Sequence, residues 1–220
     1  FKQEAISKVI IIDNDSDKTD YNKLENYCNN YFNSKIEINL IRNLNNIGYF
    51  AGLNVGLDAV SEVKEKTCII GNNDVVFEVD FLSQYANLEI PTDAIVVCPD
   101  IINKDGIHEN PQLKYQATTI MKLSFKVYFT SYWLSIIVFN ASKFAKKIGL
   151  RRPNKSYISD QFIYQGSGAC YVLPVQFFDF YKRLDDGVFL WGEERLLANQ
   201  VKLVGRKTWY TPLLKIHHNE

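Results

Sequence analysis

The hydrophobic positions of the first hundred residues fall in short apolar runs, and the stretches between them carry a helical period. The runs lie at 8–12, 36–41, 67–71 and 95–99, of which 36–41 is interrupted by Glu37 and Asn39. Runs of this kind are typical of strands buried on both faces of a sheet. Helical periodicity predicts helices over about 21–32 and 53–60, and residues 1–5 have the pattern of a helix end. The alternation of strand and helix predicts an α/β sheet.

The second half of the chain is patterned less regularly. Residues 103–106 predict a turn, and the polar stretch 108–116 predicts a mobile loop. The aromatic segment 120–139, interrupted by two lysines, favours a core helix or strand, while an interfacial or partner-contacting helix stays open. A helix is expected over 175–181, and another after the apolar residues 187–191. No apolar stretch reaches the length of a membrane span.

The composition bounds the size and class of the protein. Of its 220 residues 46% are hydrophobic and 14% aromatic, enough for one sizeable core, so a single domain over 1–220 is expected. Basic and acidic residues balance at 25 each, so no summed basic field attracts a nucleic acid, and nucleic-acid binding is not expected. The cysteines are far apart and mostly within apolar runs, which predicts free thiols in a reducing, cytosolic setting.

The polar turn that interrupts the third apolar run is the first candidate site. The run ends at Asn72, Asn73 and Asp74 and resumes as Val-Val-Phe, which predicts a buried strand followed by a turn. Ligands collect at the carboxyl ends of strands in α/β sheets, and a carboxylate there could help a diphosphate to hold Mg²⁺ or Mn²⁺. Asn and Asp also cap their own backbone, and this stretch alone favours a plain strand-ending turn.

Six polar or glycine-containing elements recur through the chain in a fixed order. They are Asp13-Asn14-x-Ser16, Asn46-x-Gly48-Tyr49-x-x-Gly52-x-Asn54-x-Gly56, Asn72-Asn73-Asp74, Gly166-Ser167-Gly168-Ala169, Glu193-Glu194 and His217. The chain resembles, in these elements, the family 2 glycosyltransferases, especially bacterial enzymes similar to rhamnosyl- and galactosyltransferases of surface polysaccharide assembly. Each element is a modest signal, but six in order over nearly the whole chain favour the metal-binding interpretation of Asp74.

The resemblance implies a GT-A fold, a mostly parallel sheet flanked by helices, with 1–100 as the nucleotide-sugar half and 101–220 as the acceptor half. The family begins with an apolar strand that is central in the sheet and forms part of the nucleotide pocket. This chain starts after that strand, so the strand is expected to be missing, by truncation or because it comes from elsewhere. Asn72 stands where many relatives have an aspartate, which leaves Asp74 as the only anionic ligand of the metal motif.

The resemblance also implies the residues that bind the donor, a UDP- or dTDP-sugar. Asp13 could accept a hydrogen bond from the imino N–H of uracil or thymine, and a solvated turn acid is an equally good interpretation. Asp74 would bind Mn²⁺ or Mg²⁺ bridging the diphosphate. His217 would complete the coordination and favour manganese, with His218 as the competing ligand. The other donor-binding residues are Asn14, Ser16, Asn46, Gly48, Tyr49, Gly52, Asn54, Asn72 and Asn73.

Catalysis and acceptor binding are expected in the second half. Glu194 would be the general base of an inverting transfer, because inversion needs a carboxylate opposite the leaving group and within reach of the acceptor hydroxyl. Glu193 would face acceptor hydroxyls or a structural partner, although acids are also favourable at a helix start for local reasons. The acceptor would lie against Gly166, Ser167, Gly168 and Ala169 and on the ring of Trp191, and all of these could equally be packing features.

The expected function is metal-dependent, inverting transfer of a hexosyl group to a hydroxyl of a glycan or lipid-linked acceptor in bacterial cell-surface polysaccharide synthesis. The expected location is the cytoplasm, with peripheral association at the inner face of the membrane left open. The alternative is a catalytically silent nucleotide- or sugar-binding module of the same fold. Dependence on a divalent metal separates the two.

Overall fold

The computed structural model describes residues 6–31, 36–60, 66–116 and 156–219, with scattered positions between 118 and 136. The helix end expected at residues 1–5 lies outside the described residues, as does most of segment 120–139. The described ranges form strands and helices close to the predicted positions.

The first two apolar runs form a small parallel sheet. β1 (Lys8–Asp13) pairs with β2 (Glu37–Arg42) along its whole length, so the carboxyl ends of both strands lie side by side. Helix α1 (Lys18–Asn30) connects them. The helix begins earlier than the pattern predicts, because the Asp17 carboxylate accepts hydrogen bonds from two backbone N–H groups of its first turn.

A six-stranded sheet forms the centre of the molecule. Its strands are β3 (Cys68–Gly71), β4 (Val75–Phe77), β5 (Ala94–Asn103), β6 (Gln161–Ile163), β7 (Cys170–Leu173) and β8 (Lys207–His218). The strand order is β3-β7-β5-β8-β4, and β6 pairs with the first part of β8.

The strand directions correct the expectation of a mostly parallel sheet. β5 runs parallel to β8, but β3 and β5 are both antiparallel to β7, and β4 and β6 are both antiparallel to β8. An apolar run favours burial of its strand on both faces, which holds for β5 but not for β1, where Val9 is 37% exposed. Such a run does not show the direction of the strand, because a central antiparallel strand covered by helices is buried in the same way as a parallel one.

Helices cover the sheets. Helix α2 (Tyr49–Asp58) begins before the predicted helix, α3 (Phe81–Ala86) is short, and α4 (Glu193–Leu203) begins at the paired acids. The helix expected at 175–181 is a 3₁₀ turn, Val175–Asp179. Across the described ranges, none of the helices combines the length and the apolar character that a bilayer crossing requires.

The hydrophobic core lies on both faces of the six-stranded sheet. Phe50 of α2 and Leu197 of α4 pack on one face, and Phe81 of α3 packs on the other. Strand β5 is buried along its first eight residues and separates the two clusters. The core therefore fixes the starts of α2 and α4 on the same side of the sheet.

The cysteines are free thiols, as their spacing predicts. Cys98 and Cys170 are fully buried in β5 and β7. Burial raises the pKa of the Cys170 thiol to about 12, so this thiol stays protonated at neutral pH and behaves as a small apolar side chain.

A cavity of about 230 Å³ separates the two sheets. It is lined by alternate residues of β1, by α2 and by β3. As far as the structure describes them, β1 pairs only with β2 and β3 only with β7, so no described strand lies between the sheets. Helix α2 contacts both β1 and β3 and connects the two parts.

Candidate functional site

Residues 166–169, called here the central turn, lie against the end of β3. The backbone N–H of Asn72 donates to the carbonyl of Ala169 at 2.9 Å. Gly71 is so close to the same carbonyl that a Cβ there would stand 2.5 Å from its oxygen. Because Asn72 opens the polar turn that contains Asp74, the central turn fixes the position of Asp74.

The central turn also joins the starts of α2 and α4. The hydroxyl of Tyr49 donates to the carbonyl of Gly168 at 2.9 Å. On the other side, a Cβ on Gly168 would stand 3.2 Å from Oε1 of Glu194, so the missing side chain lets that carboxylate approach the backbone. The turn thus brings together Asn72, Tyr49 and Glu194, which the sequence placed in three separate motifs.

Three carboxylates lie near the hydroxyl of Tyr49. Burial raises the pKa of Tyr49 well above its ordinary value, and Cys170, Glu193, Glu194 and Asp74 raise it further. Tyr49 is therefore a neutral hydrogen-bond donor throughout the physiological range. Asp74 and Glu194 both raise the pKa of Tyr49 through their charge, so both carboxylates lie within electrostatic range of this hydroxyl.

Asp74 faces a histidine. The pairing of β4 with β8 sets Val75 beside His218, and Nε2 of His218 lies 3.3 Å from Oδ1 of Asp74. This oxygen is buried and makes no hydrogen bond with any residue that the structure describes. His218 is itself only 4% exposed. The pair is thus a buried imidazole beside a carboxylate whose side chain is 39% exposed.

His217 lies on the other face of β8. Successive residues of a strand point to opposite faces, and Nε2 of His217 lies 2.7 Å from Oε1 of Glu78, with 46% of the histidine side chain exposed. The structure therefore places His218, the competing candidate, beside Asp74, and places the first-choice ligand His217 elsewhere.

Glu109 is a neighbour of His218 that the sequence did not single out. Its Oε1 lies 3.0 Å from Nδ1 of His218, and its Oε2 accepts a hydrogen bond from the hydroxyl of Ser167 at 3.0 Å. Residues 108–116 were expected to form a mobile loop, but the backbone N–H of Glu109 donates to the carbonyl of Ile101 at 2.8 Å. The side-chain amide of Asn110 donates in turn to the carbonyl of Pro99 at 2.8 Å. Polar composition alone gives no sign of these bonds to β5.

Two residues in the left-handed region directly precede helix α4. Trp191 has φ 70° and Gly192 has φ 111°. Glu193, in the first turn, is 4% exposed, whereas Glu194 is half-buried against the central turn. The Trp191 side chain is 87% exposed, so its ring face is accessible, and its role in acceptor binding stays a prediction.

Asp13 is buried, which excludes its interpretation as a solvated turn acid. It is 3% exposed, its Oδ2 lies 3.3 Å from Nε of Arg42, and its Oδ1 accepts a hydrogen bond from the backbone N–H of Ser16 at 3.3 Å. Ser16 is therefore placed as a partner of Asp13. The contact of Asp13 with a nucleobase stays a prediction.

A network of amides holds the loop before α2. Nδ2 of Asn14 donates to Oδ1 of Asn46 and to the carbonyl of Gly48, each at 3.0 Å. Oδ1 of Asn14 accepts a hydrogen bond from Nδ2 of Asn43 at 3.0 Å. Gly52 leaves room for the same amide, because a Cβ there would stand 3.4 Å from Nδ2 of Asn14. These predicted donor-binding residues therefore hold one another, and Asn14 is the centre of the network.

Asn54 is buried and holds the segment that leads into α4. Its Nδ2 donates to the carbonyl of Leu184 at 3.0 Å and to Oδ2 of Asp186 at 3.1 Å, and its Oδ1 accepts from the N–H of Leu184 at 2.8 Å. The whole amide is occupied by these contacts. Asn54 thus positions a loop, whereas Asn73 is exposed in its turn and accessible to a ligand.

Within the described ranges, no group of three or more His, Cys, Asp and Glu side chains is arranged to hold a metal ion. Asp74 and His218 place a carboxylate oxygen and an imidazole nitrogen 3.3 Å apart. An oxygen and an imidazole nitrogen suit Mn²⁺, provided that a bound molecule supplies the remaining oxygen ligands.

The comparisons with known proteins give matches in structure only. No protein-family profile and no curated protein sequence matches the chain. A crystal structure of GalNAc-T7 with UDP, GalNAc and Mn²⁺ is 15% identical with a TM-score of 0.58, over 97% of this chain and 38% of that one. A UDP-glucose pyrophosphorylase from Acinetobacter baumanii is 10% identical with a TM-score of 0.44, over 97% of this chain and 72% of that one.

The fold assignment rests on the first of these likenesses. This chain spans 38% of the length of the GalNAc-T7 chain, and at 15% identity the likeness shows the fold alone. The predicted fold is thereby confirmed, apart from the strand directions corrected above: the chain has the mixed α/β architecture of a GT-A transferase, with a central sheet flanked by helices.

Proposed function

We propose that the chain is a metal-dependent glycosyltransferase that moves a sugar from a UDP- or dTDP-sugar to a hydroxyl of a glycan or lipid-linked acceptor. The observation that supports this proposal is the set of contacts of the central turn: it meets Asn72, which opens the turn that contains Asp74, the hydroxyl of Tyr49 and the carboxylate of Glu194. A structure of similar fold holds UDP, GalNAc and Mn²⁺, which supports a nucleotide-sugar donor and a divalent cation here. The bacterial surface-polysaccharide setting rests on the motif resemblance, and the cytoplasmic location rests on the resemblance and on the cysteine usage.

Asp74 and His218 are the residues that would hold the cation, with the diphosphate of the donor supplying further oxygens. When bound there, the metal would neutralise the charge that develops on the diphosphate as the sugar–phosphate bond breaks. Oδ2 of Asp13 makes no hydrogen bond with any described residue, so it could accept the imino N–H of uracil or thymine. Asp13 would then orient the base while Asp74 orients the diphosphate.

Glu194 would act as the general base. Its carboxylate would accept the proton of the acceptor hydroxyl while that oxygen bonds to the anomeric carbon and the nucleoside diphosphate leaves. Attack from the side opposite the leaving group inverts the anomeric configuration. Tyr49, neutral and bonded to Gly168, would keep the backbone that contacts Glu194 in place. The exposed ring of Trp191 is the surface that an acceptor sugar would meet.

A thermal-shift panel tests this proposal. UDP, dTDP, GDP and ADP and their sugar derivatives are added with and without Mn²⁺ to the wild-type chain, to Asp74→Asn, and to Glu78→Gln as a control near His217. We expect UDP or dTDP to raise Tm only with Mn²⁺, because the cation would hold the diphosphate. The shift should be measurable, since a ligand at 100 times its Kd stabilises the folded state by about 2.7 kcal/mol. Asp74→Asn should abolish the shift, and Glu78→Gln should keep it.

The other outcomes decide against the enzyme. A shift that needs no metal and survives Asp74→Asn would favour the catalytically silent binding module. The absence of any shift with every nucleotide, from a chain that melts cooperatively, would contradict donor binding itself.

A further inference from the structure

We infer that Glu109 positions His218 for metal binding, by holding the ring proton on Nδ1 so that Nε2 can bind a cation beside Asp74. This inference rests on the proposed metal site and adds a residue to it. Glu109 would touch neither the cation nor the sugar, so it is a positioning residue.

The contacts form a chain that begins in the central turn. The N–H of Ser167 donates to Oδ1 of Asn110 at 2.7 Å, and the Ser167 hydroxyl donates to Oε2 of Glu109 at 3.0 Å. The other oxygen of Glu109 lies 3.0 Å from Nδ1 of His218, whose Nε2 lies 3.3 Å from Asp74. Both oxygens of Glu109 therefore have partners, and 19% of its side chain is exposed. A carboxylate held at both ends has little freedom to turn away from the imidazole.

The proton count explains why this contact matters. A neutral imidazole carries one proton, and only its other nitrogen can bind a metal. In this site each ring nitrogen faces a carboxylate, so Glu109 and Asp74 compete for that proton. With Glu109 present, the proton has an acceptor at Nδ1. Without it, Asp74 would attract the proton to Nε2, which is the form that cannot bind the cation. Histidines that bind metals commonly donate their other N–H to a carboxylate for this reason.

The chain supplies its own matched control. His217, the next residue along the chain, also contacts a glutamate, since Oε1 of Glu78 lies 2.7 Å from its Nε2. That pair is about half exposed and lies on the other face of β8. Removal of the Glu78 carboxylate therefore tests the general effect of losing a glutamate beside a histidine on this strand.

Binding of Mn²⁺ is measured by electron paramagnetic resonance, with and without UDP, for wild type, Glu109→Ala, Glu109→Gln, Glu78→Ala and Asp74→Asn. Loss of a carboxylate that orients a metal-binding histidine costs about 10- to 100-fold in affinity, and we expect this loss in Glu109→Ala. Glu109→Gln keeps an oxygen that accepts from Nδ1, so it should recover most of the affinity. Glu78→Ala should bind like wild type, and Asp74→Asn should not bind.

Nitrogen-15 NMR of the metal-free chain reads the ring proton directly, and with three histidines in the chain the His218→Gln spectrum assigns the signal. The spectra are taken at a pH at which the ring carries a single proton. We expect Nδ1 to carry the proton in wild type and the proton to move toward Nε2 in Glu109→Ala, with no change in Glu78→Ala. Circular dichroism checks that each variant is folded.

The outcomes separate this inference from the proposed function. Mn²⁺ affinity of Glu109→Ala within twofold of wild type, together with no binding by Asp74→Asn, would leave the metal site standing and overturn the role of Glu109. No Mn²⁺ binding by wild type would overturn the metal site. That result would also overturn a role of Glu109 in metal binding, and the position of the His218 proton in Glu109→Ala would then test only whether Glu109 holds that proton.

Discussion

At the scale of single residues, Asn54 links α2 to the segment before α4 through one buried amide. We expect Asn54→Ala to lower the free energy of unfolding by about 2–3 kcal/mol, because the N–H and the carbonyl of Leu184 would both lose a buried partner. Urea denaturation followed by circular dichroism measures this loss. Asn87 bonds to the carbonyl of Ser83 in an exposed place, so Asn87→Ala should cost about 0.5 kcal/mol or less. Equal losses in the two variants would contradict a structural role for Asn54.

The second prediction at this scale separates chemistry from binding at Glu194. We expect Glu194→Gln to lower the rate of UDP release from a UDP-hexose by about 10²- to 10⁴-fold, because glutamine cannot accept the proton of the attacking hydroxyl. The Mn²⁺-dependent thermal shift with UDP should stay, since the amide is of the same size. Asp20→Asn, which removes an acid from the first turn of α1, is the control and should release UDP at the wild-type rate. Loss of the UDP shift in Glu194→Gln would indicate that Glu194 binds the donor instead.

At the scale of elements, the close approach of β3 to the central turn depends on Gly71. A Cβ at this position would stand 2.5 Å from the carbonyl oxygen of Ala169, so one of the two backbones must move. We expect Gly71→Ala to destabilise the protein by about 1–3 kcal/mol and to weaken Mn²⁺-dependent UDP binding, because the turn that contains Asp74 moves with β3. Thermal melting with and without UDP and Mn²⁺ measures both effects.

Gly56, in the interior of α2, is the matched glycine. Its added Cβ would meet Ile12 at 3.6 Å, an ordinary contact, and alanine is favoured over glycine inside a helix. Gly56→Ala should therefore stabilise the protein by about 0.5–1 kcal/mol and leave UDP binding unchanged. If both variants were destabilised alike, crowding at the central turn would not be the cause.

The same elements show what the sequence can and cannot predict. The polar turn at Asp74 and the start of α4 at Glu193 were predictable, because a change from apolar to polar positions marks them directly. The choice between His217 and His218 could not be predicted. It depends on which of the two lies beside the residue that follows Asp74, and only the pairing register of β4 with β8 sets this. Glu109 was missed because its position, too, is set by contacts between distant parts of the chain. Its stretch carries no period, and it is held by bonds to β5 that only the folded chain reveals.

At the scale of the whole molecule, the two sheets place the proposed donor-binding acids on separate bodies. Asp13 ends β1 of the small sheet, and Asp74 follows β3 of the large one, with the cavity between the sheets. The small sheet is mostly half-buried, whereas β5 is buried along most of its length. We therefore expect amide hydrogens of β1 and β2 to exchange through local opening, faster than those of β5. Hydrogen exchange followed by mass spectrometry measures this difference in the ligand-free chain.

A donor that contacts both Asp13 and Asp74 would couple the two sheets, because any opening that separates the sheets would release the donor. At 100 times its Kd, UDP with Mn²⁺ should slow exchange in β1 and β2 by up to about 100-fold. Mn²⁺ alone reaches only the Asp74 side and should leave β1 and β2 unchanged. Strand β6 pairs with β8 and does not line the cavity, so its local exchange should stay as it was. Protection confined to β3, β4 and β8 would show that the ligand binds the large sheet alone, and the base contact at Asp13 would then be wrong.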